Sequence, residues 1–225
     1  MGFSLQEWIE NYKTAVQKEF KDRVWFIGLQ GSYGRGEATE KSDIDMVLIL
    51  DTVTSNDLYC YSKILDKLPN RNKVCGFVSG KSELFRWAVS DLFQFCYDTT
   101  PIIGSLEELI SNIHDEDIRR AVRIGVCNIY HMCVHNIVHE KNADILKDLY
   151  KSAGFVLQAI AFLNTRRYEK KKTELQFLLE SKDKCILKSE IELKNIEKLS
   201  DESFKKYSEM LFRWASEKIC EVQYG

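Results

Sequence analysis

The segment Asp43-Ile44-Asp45-Met46-Val47-Leu48-Ile49-Leu50 constrains the fold of this chain more than any other. Beyond Asp45 every residue is apolar, the pattern of a strand covered on both faces in the middle of a sheet. Side chains alternate along a strand, so Asp43 and Asp45 share one face, roughly 7 Å apart. Carboxylates that close raise each other's pKa unless a cation lies between them. A ligand set made only of oxygen favours a hard ion such as Mg²⁺, which is commonly shared between carboxylates and substrate phosphates. Two acids opening a buried strand are costly without a metal, and that cost is the physical argument for function.

A short apolar strand, Val24 to Leu29, lies upstream and runs into Gly31-Ser32. Glycine there lets backbone N–H groups approach a polyphosphate, and the serine hydroxyl can donate to it. Gly34 and Gly36 let the loop fold back, and Arg35 is placed to neutralise phosphate charge. Ten residues separate Ser32 from Asp43, enough for a turn and a short helical segment. Phosphate cradle and acids are then expected to converge from adjacent strand ends on one nucleoside triphosphate.

The stretch GSYGRGEATEKSDIDMVLIL resembles the DNA polymerase β-type nucleotidyltransferase superfamily. It is most similar to the small bacterial members, in which G-S-x-A-R-G-x-A-x-x-x-S-D-I-D is typical; Gly34 stands where alanine is common, and the helical half, including Tyr150 to Leu175, is broadly similar to the domain that follows in antibiotic-modifying members. The resemblance implies that Asp43 and Asp45 hold Mg²⁺ and that Gly31 and Ser32 bind the β/γ-phosphates. Arg35 and Ser42 complete the nucleotide-side candidates. It implies transfer of a nucleoside monophosphate, with ATP the expected donor, to a hydroxyl of a small-molecule acceptor. Two-metal stabilisation of the attacking and leaving oxygens would supply most of the rate. The superfamily usually adds a third carboxylate on a later strand. The natural strand, Lys73 to Val78, has no acid, and Gly76 falls near the expected place. Asp91 becomes the third catalytic acid if Leu92-Phe93-Gln94-Phe95 is a strand, with Glu83 and Asp98 as further candidates. Without a third acid, the alternative is a catalytically silent nucleotide-binding or partner-regulating protein on the same fold.

The expected architecture is an α/β (α+β) nucleotidyltransferase domain with a mixed sheet over residues 1–105, followed by an all-helical domain over 106–225 that walls the cleft. Capping boxes at Ser4/Glu7 and Ser105/Glu108 mark helix starts. Helical periodicity covers 4–22 and 56–68, then 106–113, 116–140, 143–165, 171–181, 188–199 and 202–222. Strands are expected at Val74–Val78 and Ile102–Ile103, and 84–97 fits either helix or strand.

A formal net charge of −2 gives no footprint for nucleic acid. No apolar run approaches membrane-spanning length, and no basic segment followed by an apolar stretch opens the chain. Seven scattered cysteines without a CxxC pair fit a reduced, cytoplasmic protein in which most pack as small hydrophobes. Oligomeric state is not legible. Ser79-Gly80-Lys81-Ser82 lacks the upstream glycine of a P-loop, Cys75 standing there. Cys127, His131, His135 and His139 recur every four residues, a spacing better explained by ordinary helix residues than by zinc. The basic run Arg166 to Lys172 reads as a solvated helix end, and the four tryptophans read as core.

Overall fold

The computed structural model describes residues 4–40 and 42–221. They form two compact units that divide between Asn112 and Ile113. The expected boundary at 105 lies earlier because a short helix after it packs on the first unit.

In the first unit, α1 (Leu5–Phe20) is capped by the Ser4 hydroxyl, which accepts from the Glu7 amide at 3.4 Å. Its Trp8, Tyr12 and Val16, four residues apart, bury one face. Next come β1 (Val24–Gln30), α2 (Gly31–Arg35), β2 (Ile44–Leu50), α3 (Ser55–Leu65) and β3 (Val74–Gly80). The unit closes with α4 (Lys81–Leu84), α5 (Val89–Asp98), β4 (Thr100–Ile103) and α6 (Glu107–Ile110), which packs on α5. The sheet order is β3-β2-β1-β4. β1 runs antiparallel to β2 and β4, while α3 carries the chain from β2 across to a parallel β3.

The mixed sheet agrees with the sequence, and β2 is its covered centre. Every β2 residue except Asp45 is buried. Ile44, Met46, Leu48 and Leu50 join Trp8, Tyr12, Val16, Phe20 and Leu65 in one core on the α1/α3 side. Each fully buried aliphatic side chain there stabilises the fold by about 1.5–3 kcal/mol. The opposite parity carries Asp45, Val47 and Ile49, so the core on one side fixes where the carboxylate must point on the other.

The stretch that fitted both helix and strand is helical. Leu92, Phe93 and Cys96 bury one side of α5, a spacing of three and four that only a helix brings together. Asp91 therefore sits in the exposed first turn of a helix, and the strand on which its selection depended does not exist. The cysteine and tryptophan expectations need correction too. Only Cys96 and Cys133 are buried, and Cys75, Cys127, Cys185 and Cys220 are exposed. Trp8 and Trp214 are core, but Trp87 is 40% exposed and leans its ring on Phe77, centroids 4.9 Å apart.

The second unit contains α7 (Asp115–His135), which runs into one turn of π-helix (Asn136–Glu140), then α8 (Ala143–Thr165), α9 (Lys172–Leu175), α10 (Ser181–Lys194) and α11 (Asp201–Glu221). The helix expected over 171–181 shrinks to α9, and the one expected over 188–199 begins and ends earlier, as α10. The expected end at 222 lies outside the described residues. Ile118, Val122, Val126 and Ile129 of α7 form the inward stripe of this bundle, with Tyr150, Leu157, Leu211 and Trp214 also buried. The basic run is largely paired within the unit. Arg166, in the left-handed conformation that ends α8, pairs with Asp115; Arg167 lies 2.9 Å from Glu169; and Lys172 pairs with the buried Glu190.

Candidate active site

The end of β1 and the start of β2 are brought side by side by their antiparallel register, in which Gln30 faces Asp45. Immediately after Gln30 the chain turns into α2, and Gly31 adopts a φ of +66°. A Cβ built on Gly31 would stand 1.9 Å from the Asp45 Oδ2. Backbone and carboxylate are thus in direct van der Waals contact, and glycine is required twice over, by dihedral and by space. The sequence supplied a reason for this glycine, access of phosphate to the backbone, but not its contact with the acid.

Gln30 anchors the turn from behind. Its amide donates to Thr99 Oγ1 at 2.7 Å and to the Phe95 carbonyl at 3.3 Å, tying the end of β1 to the end of α5. Ser32, half-buried in α2, makes no side-chain hydrogen bond among the described residues, so its hydroxyl is available to a ligand. Its carbonyl accepts from the Glu37 amide at 2.8 Å and holds the loop closed. Ser42 closes the other end of the spacer, its hydroxyl accepting from the Thr39 amide at 2.8 Å. Asp43 is exposed just ahead of β2, and Asp45 is half-buried within it.

Arg35, placed by the sequence to neutralise phosphate charge, is turned into the protein. It donates from Nη1 to Asp98 Oδ2 at 2.8 Å and pairs through Nε with Glu37 at 3.4 Å, with only 10% of its side chain exposed. The guanidinium is neutralised inside the protein and pins α2 to the end of α5. Asp98, a candidate third acid, is its partner.

The neighbouring strand bears on the missing carboxylate. In the parallel register of β2 and β3, Asp45 aligns with Cys75 and Met46 with Gly76. Residues aligned on adjacent strands share a face, so Cys75 is the β3 residue level with Asp45. Its side chain is exposed. A Cβ at Gly76 would lie 1.8 Å from the Met46 carbonyl, which leaves that position to glycine alone. Glu83 lies at the far end of the sheet, beside Gly80, which aligns with Leu50. None of Asp91, Glu83 and Asp98 stands on β3 level with Asp45.

The donor set fits a hard divalent cation shared with a nucleotide. Two carboxylates open β2, and no group of three or more His, Cys, Asp or Glu residues able to hold a metal exists among the described residues. A site of this kind is completed by substrate phosphates and water, as Mg²⁺ sites commonly are.

With this geometry in view, comparisons with known proteins decide the family. A nucleotidyltransferase domain model matches residues 9–116. A protein-adenylyltransferase-type sequence of Methanocaldococcus jannaschii is 33% identical over 72 residues, covering 32% of this chain and 67% of its own length. The chain belongs to the nucleotidyltransferase family. The protein adenylyltransferase MntA of Thermococcus cleftensis is 42% identical over 57 residues, which cover 24% of this chain and 58% of MntA. The chain therefore spans little more than half the length of that relative. The fold is shared with a spectinomycin adenyltransferase from Enterococcus faecialis, solved with ATP and spectinomycin. That match has a TM-score of 0.58 at 15% identity and covers 95% of this chain and 100% of the other.

The remaining motifs of the sequence fall away. Lys81, the lysine of Gly-Lys-Ser, lies 4.9 Å from the centroid of the Trp25 ring and 3.4 Å from Glu108. Of the histidines, His135 and His139 lie tilted with ring centroids 5.0 Å apart, and His135 Nε2 meets Glu140 at 3.3 Å, with no cluster of three metal-ligating side chains among the described residues. No helix among the described residues is long and apolar enough to cross a membrane.

Proposed function

We propose that this nucleotidyltransferase-family chain moves AMP from ATP to a hydroxyl of a small-molecule acceptor with the help of Mg²⁺, the hydroxyl oxygen displacing pyrophosphate from the α-phosphorus. The observation that carries the reading is the contact of Gly31 with the Asp45 carboxylate, fixed by the Gln30–Asp45 register. Asp43 and Asp45 would hold the metal, which when bound neutralises phosphate charge and polarises the α-phosphoryl group. Gly31 presents its backbone beside that carboxylate, and the Ser32 hydroxyl donates to a phosphate oxygen. Arg35, held by Asp98 and Glu37, keeps the turn in place without touching the nucleotide. Because β3 contributes no acid at the level of Asp45, the proton of the acceptor hydroxyl is taken by the acceptor, by water or by a group outside this strand.

A small-molecule acceptor is supported by the adenyltransferase whose fold matches 95% of this chain, the helical unit included. A protein hydroxyl as acceptor is the second reading, favoured by the two relatives of higher sequence identity. Calorimetry of ATP and GTP with and without Mg²⁺ tests the site, on wild type and on Asp43→Asn/Asp45→Asn. Metal-dependent ATP binding that disappears in the double variant is expected. Transfer of label from α-labelled ATP to a small-molecule or a protein fraction then separates the acceptors. Binding without any transfer would favour the silent nucleotide-binding protein, and no binding at all would remove the catalytic reading.

A further inference from the structure

An aromatic cluster stands on the same face of the sheet as Asp45 and has no part in holding nucleotide or metal. Side chains of one parity share a face, so Cys75 and Phe77 of β3 lie on the side of Asp45 and Val47, the β2 residues with which they align. Phe77 is two residues beyond the level of Asp45, roughly 7 Å along the strand. Trp87, between α4 and α5, meets the Phe77 ring edge to face with centroids 4.9 Å apart. Phe95 of α5 completes the triangle, 5.1 Å from Phe77 and 6.5 Å from Trp87.

This cluster is not closed core. Phe77 and Phe95 are half-buried, while Trp87 is 40% exposed between the exposed Arg86 and Ala88. Two rings brace the indole and leave the rest of it open, a fixed apolar surface of the kind on which a flat ring packs well. Because the indole is already held, a ring that settles on it has little side-chain freedom to freeze.

The order of the strands says which part of the reaction the cluster serves. At the level of Asp45 the sheet runs from the Gly31 turn at the end of β1, through the carboxylate on β2, to β3. In the transfer proposed above, the β- and γ-phosphates rest on Gly31 and Ser32, so pyrophosphate leaves on the β1 side. Attacking and leaving oxygens lie in line through the phosphorus, and the acceptor hydroxyl therefore arrives from the β3 side. The nucleoside is attached at neither end of that line. Phe77 and Trp87 stand on the acceptor's flank.

We infer that Trp87, braced by Phe77 and Phe95, is the platform for the acceptor, and that the acceptor is an alcohol carrying a flat ring roughly 7 Å from the hydroxyl that receives AMP. This rests on the nucleotidyl-transfer reading. Trp87 selects the alcohol and positions it; the bond from the hydroxyl oxygen to the α-phosphorus forms and the bond to pyrophosphate breaks without its help.

The test uses the full chain, α-labelled ATP, Mg²⁺ and three probe alcohols. These are 3-phenylpropan-1-ol, whose ring and hydroxyl span about the required distance, benzyl alcohol, which falls short, and butan-1-ol, which has no ring. The expected kcat/KM for 3-phenylpropan-1-ol is about tenfold above the other two. Trp87→Ala is expected to raise KM for that probe about tenfold with kcat little changed, and Trp87→Phe, which keeps a ring, to restore most of the preference. Melts verify that both variants are folded. A merely structural tryptophan would lower the melting temperature and act on the three alcohols alike. Four results would overturn the inference: equal kcat/KM for the three alcohols, a preference that survives in Trp87→Ala, no transfer to any probe by a chain that binds MgATP, or a tenfold loss of MgATP affinity in Trp87→Ala, which would assign the rings to the nucleotide base. A chain that binds no MgATP would instead remove the transfer reading, and this inference with it.

Discussion

Replacing Gly31 with alanine tests the candidate site at its tightest point. Two costs arise. The first is the left-handed backbone, at φ +66°, which costs about 1–2 kcal/mol for any residue with a Cβ. The second is steric. The new methyl would stand 1.9 Å from Asp45 Oδ2, about 1.1 Å inside the 3.0 Å closest approach of real Cβ atoms, so the carboxylate must swing aside. A displacement of about 1 Å in a catalytic group is worth on the order of 10²-fold, or about 2.7 kcal/mol. The expected result is a melting temperature lowered by a few degrees, weaker Mg²⁺-dependent ATP binding and nucleotidyl transfer slowed by about two orders of magnitude. Asp45→Ala removes Oδ2, and in that background Gly31→Ala is expected to cost only the backbone strain. Thermal melts on the four proteins of the cycle, with MgATP calorimetry on wild type and Gly31→Ala, give both terms. If Gly31→Ala binds MgATP as wild type does, with the fold intact, the contact does not organise a nucleotide site and the argument fails.

Three further outcomes are expected. Asp57, 7% exposed, accepts from both Arg23 Nη atoms and from Thr54, and the Arg23 guanidinium foremost holds its carboxyl well below the usual range. A depressed carboxyl stabilises the fold above its unfolded value near 3.8 and loses that contribution as pH falls below it. Asp57→Asn, read by denaturant melts from pH 2 to 7, therefore lowers stability by about 1 kcal/mol at neutral pH after solvent screening of the partly exposed Arg23, and flattens the slope below pH 4. Arg35→Ala takes the guanidinium from the buried Asp98 carboxylate and lowers stability by about 3 kcal/mol, with part returning in Arg35→Ala/Asp98→Asn; equal melts for the two variants would contradict the pairing. Cys75→Glu adds an acid level with Asp45 at an exposed position, so Mn²⁺ binding followed by electron paramagnetic resonance tightens several-fold; an unchanged isotherm with an intact melt would remove β3 from the site.

The parts of the molecule that sequence made legible are those where one local rule decides. β2 reads as a covered strand because burial on both faces demands an unbroken apolar run, and Asp43 and Asp45 stand out against it. Gly31-Ser32 reads as a turn for the same reason. Asp91 misled because Leu-Phe-Gln-Phe satisfies a strand and a helix equally, and only the buried Cys96 three residues beyond Phe93 separates them. Arg35 misled because spacing cannot say whether a cation beside a glycine turn faces solvent or core; its partner lies 63 residues away. The acid expected on β3 could not be found, since the level of Asp45 on that strand is held by Cys75.

The loop between Ser32 and Asp43 has a different standing from the residues at its ends. What aligns the turn with the acids is the ladder between β1 and β2, from Val24 opposite Leu50 to Gln30 opposite Asp45. The intervening loop is exposed at Gly36, Ala38, Thr39 and Glu40 and contributes no rung among its described residues. Doubling the length of such a loop adds only about 0.6 kcal/mol of closure entropy. It behaves as a tether rather than a ruler: its length can drift through insertion and deletion while the distance between turn and carboxylates stays constant. Any recognition of this kind of site by counting residues will miss chains in which the tether has lengthened, whereas pairing of the two strands would still find them.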